Sequence, residues 1–167
     1  MLPIVDTHQH MWDLREFSLP WLADVEMLNK SHDMDDYREA SRGCGINQTV
    51  YMEVDVEPTQ RGREVDYVSD FCARSDNPIV AAVVSGSPAE EGFLDIVKSY
   101  RDDPNVKGFR KVLHVPEMPR YSCLQQSFLN GMHCLGESGK SFDLCMRPNE
   151  LGDALDLVKK CPDTLFI

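Results

Sequence analysis

Residues 4–10 of the chain read IVDTHQH, a short apolar and β-branched run that ends in two histidines one residue apart. Because successive side chains of a strand point to opposite faces, this spacing predicts that His8 and His10 point the same way at a strand's end. Two neutral imidazoles suit a divalent metal or a polarised substrate oxygen, but two ligands do not close a metal site. The alternative interpretation is a pair of solvated loop histidines without a function.

Size and charge narrow the class of protein. The chain has 167 residues, 42% hydrophobic and 27% charged, which is typical of a globular domain with its own core. Its formal net charge of -11 argues against a nucleic-acid partner, because phosphate binding needs clustered Lys and Arg. The sequence has neither an apolar run long enough to span a bilayer nor a secretory signal. We therefore expect a cytoplasmic protein with no membrane partner.

The cysteines are expected to be reduced and mostly buried. No two of them form a C-x-x-C pair, and several lie inside predicted helices or strands. Such thiols are typical of cytosolic proteins, whereas disulfide sets are typical of secreted ones. No motif supports a catalytic cysteine. The six cysteines are Cys44, Cys72, Cys123, Cys134, Cys145 and Cys161.

Strand and helix patterns alternate along the chain. The predicted strands are residues 3–8, 48–54, 78–84, 106–113, 141–146 and 164–167. The predicted helices are about residues 34–42, 61–74, 87–100, 124–135 and 148–160. Asp33 is a suitable N-cap for the first helix, and Leu151, Leu155 and Val158 are predicted to form the buried stripe of the last. This alternation favours a parallel sheet with right-handed helical crossovers.

Two architectures fit this alternation. Length favours an open doubly wound sheet, because a (β/α)8 barrel typically has about 250 residues. The end of the sequence favours the barrel, because Ile167 lies inside an apolar strand with no cap and no closing helix. We expect an α/β fold of the (β/α)8 TIM-like type, truncated to about its first five to six βα units. Residues 1–167 would then be the N-terminal portion of a single barrel domain.

Polar side chains stand where the predicted strands end, and in either architecture chemistry takes place at the carboxyl ends of the strands. Arg110 lies within the fourth strand, so its guanidinium needs a partner there. That partner is Asp143 or Glu53 in a salt bridge, or a substrate carboxylate. Arg147 is either exposed to solvent or a second anion clamp, and His114 is either a surface or a site residue.

Four segments together resemble the amidohydrolase superfamily. The match is closest to its branch of metal-dependent or formerly metal-dependent hydrolases, which contains lactonases. The segments correspond to the first strand of that branch, the entry to the second strand, the fourth strand and the fifth strand. They are VDTHQHMW (residues 5–12), GINQTV (45–50), KGFRKVLH (107–114) and FDLCMRP (142–148).

This resemblance implies a distorted TIM barrel with a site at its mouth. It implies His8 and His10 as ligands of a divalent metal, with zinc favoured, or as substrate-polarising groups where the metal has been lost. It implies Arg110 as a contact to a substrate anion, while Glu53 stands where relatives often carry Gln. The family places its general-base aspartate at the end of strand eight, beyond Ile167, so no catalytic residue is assigned within the chain.

The implied reaction is the opening of a sugar or aromatic-degradation lactone by activated water. The substrate is expected to be a small carboxylated or hydroxyl-rich molecule, and a homo-oligomer is a further expectation. Without the general base, the isolated chain is not expected to be active. The alternatives are a decarboxylase or hydratase of the same superfamily, and a non-catalytic remnant that binds a small ligand. The expected substrate-binding residues are Arg110, Arg147, His114 and Glu53.

Overall fold

Strands and helices alternate through residues 2–167, which the computed structural model describes. The chain divides into two compact units, Met1–Ser85 and Gly86–Ile167, and each is treated by itself. The elements of the first unit are β1 (Ile4–Gln9), α1 (Met34–Ala40), β2 (Ile46–Met52), α2 (Arg61–Cys72) and β3 (Ile79–Ser85). Within this unit β1 pairs with β2 and β2 with β3, all in parallel.

The second unit repeats the pattern of alternating helices and strands. Its elements are α3 (Phe93–Ser99), β4 (Val106–Val112), α4 (Gln126–Ser138), β5 (Ser141–Cys145), α5 (Leu151–Lys160) and β6 (Leu165–Phe166). Here β4 is parallel to β5 and β5 is parallel to β6. Parallel neighbours joined by helices confirm the α/β class predicted from the alternation of patterns. No helix in the described part of the chain is long and apolar enough to cross a membrane.

Short-range signals set several of the element ends. The Asp33 side chain accepts hydrogen bonds from the Asp35 and Asp36 amides, and the Asp36 carboxylate accepts one from the Asp33 amide. This capping box starts α1 at the predicted residue. The predicted third helix is wrong at its beginning, since α3 starts only at Phe93. Gly92, at a φ of 90°, ends the turns that precede this helix.

The face that α5 buries differs from the predicted one. Leu151, Leu155 and Val158 are 66%, 55% and 39% exposed, so they do not form the buried stripe. The buried face instead carries Asp153 and Leu157. A carboxylate is tolerated there because Arg120 reaches it, with Nε 3.1 Å from Asp153 Oδ2. Counting apolar residues alone therefore selects the wrong side of this helix.

Buried contacts show which strand faces the helices cover. In the first unit the Tyr51 hydroxyl of β2 donates to Glu64 Oε1 of α2 at 2.8 Å, and both residues are fully buried. Burial, together with the neighbouring Glu64 carboxylate, raises the pKa of Tyr51 well above its usual value. Glu64 Oε1 also accepts from the Val54 amide at 3.0 Å. The Tyr51 side of β2 is therefore the helix-covered side.

Candidate functional site

A bulge in β1 sets the direction of its last side chains. Asp6 is paired with Thr49 and Gln9 with Tyr51, so three steps along β1 oppose two along β2. Asp6 lies on the helix side, because its Oδ2 accepts a 2.7 Å hydrogen bond from the Tyr37 hydroxyl of α1. Gln9 is buried and in register with Tyr51, so it also faces the helices. The residues on either side of Gln9 therefore point to the opposite face.

His8 and His10 are those two residues, and their rings meet edge to face with centroids 4.9 Å apart. His8 is exposed and His10 is half-buried. His10 Nδ1 lies 3.0 Å from the Met52 carbonyl oxygen. A carbonyl only accepts hydrogen bonds, so in the neutral ring Nδ1 carries the proton and Nε2 carries the lone pair. A histidine oriented by a carbonyl in this way is the usual form of an imidazole that binds a metal.

The donor set limits what the pair can hold. Among residues 2–167, no three side chains of His, Cys, Asp or Glu come together as a metal cluster. Two imidazoles suit zinc in donor type, but a zinc site normally has at least three protein ligands. His8 and His10 therefore fit part of a metal site, and their role as ligands stays a prediction.

Glu53 and Asp55 form the turn that follows β2. Glu53 is 1% exposed, and its Oε2 accepts a 2.7 Å hydrogen bond from the Asp55 amide. Asp55 has a φ of 49°, in the left-handed region that disfavours most side chains. The Glu53 carboxylate thus supports this turn, and its predicted role in substrate binding stays a prediction.

A cavity lies next to His10 in the first unit. It has a volume of about 310 Å³, and its other walls include Trp12, His32 and Tyr37. Trp12 is fixed by its indole N–H, which donates to the Lys30 carbonyl at 2.7 Å, and its ring lies 4.8 Å from that of His32. Trp12 and His32 come from the long irregular segment between β1 and α1, whereas Tyr37 lies in α1.

In the second unit, aromatic pairs mark the helix-covered face of the sheet. The ring of Phe109 on β4 lies 5.6 Å from Phe93 of α3, and that of Phe142 on β5 lies 5.7 Å from Phe128 of α4. Phe109 and Phe142 are register partners in a pairing that has no bulge. Residues one step along each strand therefore point to the face opposite the helices.

Arg110 and Asp143 occupy that opposite face. They are direct register partners across β4 and β5, so opposite charges stand side by side. Arg110 is 8% exposed, which makes it a nearly buried guanidinium inside a strand. Of the two partners predicted for Arg110 within the chain, Asp143 is the one that strand pairing places beside it.

His114 and Cys145 meet at the ends of the same two strands. Cys145 Sγ lies 3.3 Å from His114 Nδ1, which is hydrogen-bond distance for a thiol and an imidazole. His114 is exposed and Cys145 is half-buried. No motif marked this cysteine, because its partner lies in another strand-end segment and only strand pairing joins the two.

Arg147 forms an ion pair and a hydrogen bond with neighbouring residues. Its Nη1 lies 2.7 Å from Glu150 Oε1, and its Nη2 donates to the Val115 carbonyl. The guanidinium therefore ties the segment after β4 to the start of α5. Its predicted contact with a substrate anion stays a prediction. The structure thus brings together three pairs: His8 with His10, Arg110 with Asp143, and His114 with Cys145.

Solved structures share this fold. An amidohydrolase 2 from Bifidobacterium longum subsp. infantis matches with a TM-score of 0.73 at 25% identity, over 99% of this chain and 60% of that one. An amidohydrolase from Burkholderia multivorans with bound zinc matches with a TM-score of 0.79 at 16% identity, over 97% and 55%. Such neighbours are TIM barrels, which confirms the predicted barrel type of fold.

More distant neighbours show the fold alone. One is described as a probable 2-pyrone-4,6-dicarboxylic acid hydrolase from Acinetobacter baumannii, with a TM-score of 0.68 at 10% identity over 93% of this chain and 54% of that one. Another is a 2,6-dihydroxybenzoate decarboxylase complexed with 2,6-dihydroxybenzoate, with a TM-score of 0.67 at 13% identity over 98% and 65%. Proteins described as hydrolases and proteins described as decarboxylases thus share this fold.

Sequence comparison agrees with the structural one. An uncharacterised protein of Sinorhizobium fredii, y4mH, is 23% identical over 185 residues, which cover 99% of this chain and 61% of that protein. The chain thus spans about three fifths of the length of this relative. The amidohydrolase family model matches residues 5–167, nearly the whole chain. The chain belongs to the amidohydrolase family.

Proposed function

We propose that this chain contributes to the active site of a hydrolase that opens a carboxylated lactone with activated water. The observation that carries the proposal is the burial of the Arg110 side chain within β4. The Arg110 guanidinium is only 8% exposed, and it lies inside a strand on the face without helices. Burying this positive charge is energetically unfavourable unless an opposite charge pairs with it. Asp143, its register partner on β5, carries the opposite charge, and the guanidinium fork matches a substrate carboxylate in shape and charge.

The histidine pair supplies the second part of the proposal. Both rings lie at the carboxyl end of β1 and on its helix-free face, where parallel α/β folds carry out chemistry. His10 Nε2 carries a lone pair because its Nδ1 donates to the Met52 carbonyl. A divalent ion held by His8 and His10 would supply Lewis-acid polarisation and water of lowered pKa.

The chain's own residues have distinct roles in this proposal. Arg110 binds and orients the carboxylate of the substrate. His114, exposed at the end of β4, is available to a hydroxyl or ring oxygen. Glu53 and Arg147 act by holding the turns after β2 and β5 in place. The proton acceptor for water is not assigned to a residue of this chain.

The experiment is a substrate panel with the full-length protein. It compares 2-pyrone-4,6-dicarboxylate, a neutral sugar lactone and 2,6-dihydroxybenzoate, with acid release and carbon dioxide release measured separately. We expect ring opening of the carboxylated lactone, with release of acid and no carbon dioxide. Carbon dioxide release from the aromatic acid without lactone opening would instead assign the decarboxylase alternative.

Arg110→Gln tests the proposed carboxylate contact. We expect kcat/KM for the carboxylated lactone to fall by about 10- to 100-fold, since a hydrogen bond to a charged group is lost. Arg101→Gln, which changes an exposed arginine in the same unit, is the matched control. Equal activity of the two variants, with matching circular dichroism spectra, would remove Arg110 from the site.

A further inference from the structure

We infer that Cys145 and His114 form a thiol–imidazole pair that captures neutral α,β-unsaturated carbonyl compounds as covalent adducts. The inference goes beyond the proposed hydrolysis and does not depend on it. It starts from the 3.3 Å contact between Cys145 Sγ and His114 Nδ1 at the carboxyl ends of β4 and β5. A thiol within hydrogen-bond distance of an imidazole has the arrangement of an activated nucleophile.

The position of the pair makes the sulfur accessible to a small electrophile. Phe142 on β5 faces α4, so Cys145, three steps further along the strand, lies on the helix-free face. Cys145 is half-buried while His114 is exposed, so a reagent approaches past the imidazole. Cys123 and Cys161 are buried, and burial raises the pKa of each thiol. They are therefore poor competitors for the same reagent.

Charged groups near the pair largely balance one another. Arg110 and Asp143 are register partners of opposite sign on the same face. Arg147, two residues beyond Cys145, is ion-paired with Glu150. Because these neighbouring charges come in pairs of opposite sign, a neutral electrophile is favoured over a charged one.

The addition step needs no further reactant. The Cys145 thiol proton passes to His114 Nδ1, and the sulfur lone pair forms a bond with the β-carbon of the alkene. The π electrons of the alkene move to the α-carbon next to the carbonyl, which then takes the proton back from the imidazole. One S–C bond and one C–H bond form, the S–H bond and the alkene π bond are lost, and nothing leaves.

Acrylamide is the probe, and mass spectrometry of peptides measures the adduct at each cysteine of the full chain. At pH 7 we expect Cys145 to react about ten-fold faster than half-buried Cys134. His114→Asn is expected to lower the Cys145 rate to that of Cys134. His133→Asn, which changes an exposed histidine of α4, is the matched control and should leave the rate unchanged.

The pH profile of the wild type provides a second readout that needs no substitution. A free thiol ionises at a pH of about 8.5. We expect the rate of the Cys145 reaction with acrylamide to rise with pH and to reach its plateau at a lower pH than this. A Cys145 rate that is no faster than that of Cys134 overturns the inference. So does a rate that His114→Asn leaves unchanged. Lactone turnover is measured separately, so either proposal can fail alone.

Discussion

Asp13 shows how one residue anchors the long segment between β1 and α1. Its carboxylate accepts from the Arg15 amide at 2.9 Å and from Arg15 Nη2 at 2.6 Å, and the Ser31 hydroxyl donates to it at 3.3 Å. These hydrogen bonds, chiefly those of the Arg15 side chain, lower the pKa of Asp13 to about 2. The ionised form is thus the one that the fold stabilises.

Acid should weaken this anchor. An unfolded aspartate has a pKa of about 3.9, so the contribution of Asp13 is complete above that pH and is lost as the pH falls toward 2. Arg15 is 87% exposed, and solvent screening limits the effect to under about 1 kcal/mol. Asp13→Asn should flatten the pH dependence of the free energy of unfolding between pH 4 and pH 2, measured with urea.

Arg15→Gln is the companion variant for Asp13, because it removes the partner and keeps the acid. We expect it to flatten the same part of the stability profile. A wild-type slope between about pH 4 and pH 2 that both variants retain would contradict the assignment of this acid sensitivity to Asp13.

At the scale of elements, helix packing depends on a few close approaches. Gly131 lies in the middle of α4, where an added Cβ would stand 2.4 Å from the Pro88 carbonyl oxygen. Gly152, in α5, has nothing within 4 Å of such a Cβ. Both are helical glycines, so helix propensity favours alanine at each of them. Of these two positions, packing opposes the substitution by alanine at Gly131 alone.

The two glycines form a matched pair of tests. Gly131→Ala should lower the free energy of unfolding by about 1–3 kcal/mol, because backbone must shift to admit the methyl group. Gly152→Ala should raise it by about 0.5–1 kcal/mol. Urea unfolding measures both. A Gly131→Ala variant as stable as the wild type would show that the Pro88 segment yields at little cost.

At the scale of the whole molecule, the metal hypothesis rests on two imidazoles, those of His8 and His10, whose rings lie 4.9 Å apart. Structural zinc sites with full ligand sets bind with about 10–16 kcal/mol. Half of such a set supplies about 5–8 kcal/mol, which corresponds to a Kd between about 1 μM and about 0.2 mM. We expect calorimetry of the 167-residue chain to find zinc affinity in this range.

His10→Asn should abolish that zinc binding, and His133→Asn should not. Both variants are made in a Cys145→Ser background, so that the Cys145–His114 pair does not compete for the ion. Tight binding in the nanomolar range, or binding that survives His10→Asn, would contradict a site built on the histidine pair.

Local patterns in the sequence determined the order and type of the elements and the start of α1 at the Asp33 cap. These properties depend on periods of 2 and 3.6 residues and on side chains that bond neighbouring amides, so a single sequence shows them. Alternation also indicated that His8 and His10 share a face, and the strand pattern indicated that Arg110 is a charged residue within a strand that needs a partner.

Only the tertiary structure revealed the features that depend on contacts between residues far apart in the sequence. The bulge after Asp6 places that residue on the helix side although it shares its alternation with His8. Helix α5 buries the face that carries Asp153 and leaves its apolar stripe exposed. Arg120, 33 residues away in the sequence, pairs with the Asp153 carboxylate. Cys145 meets His114 across 31 residues of sequence. Register and charge pairing between distant segments leave no local periodicity, which is why only the folded chain reveals them.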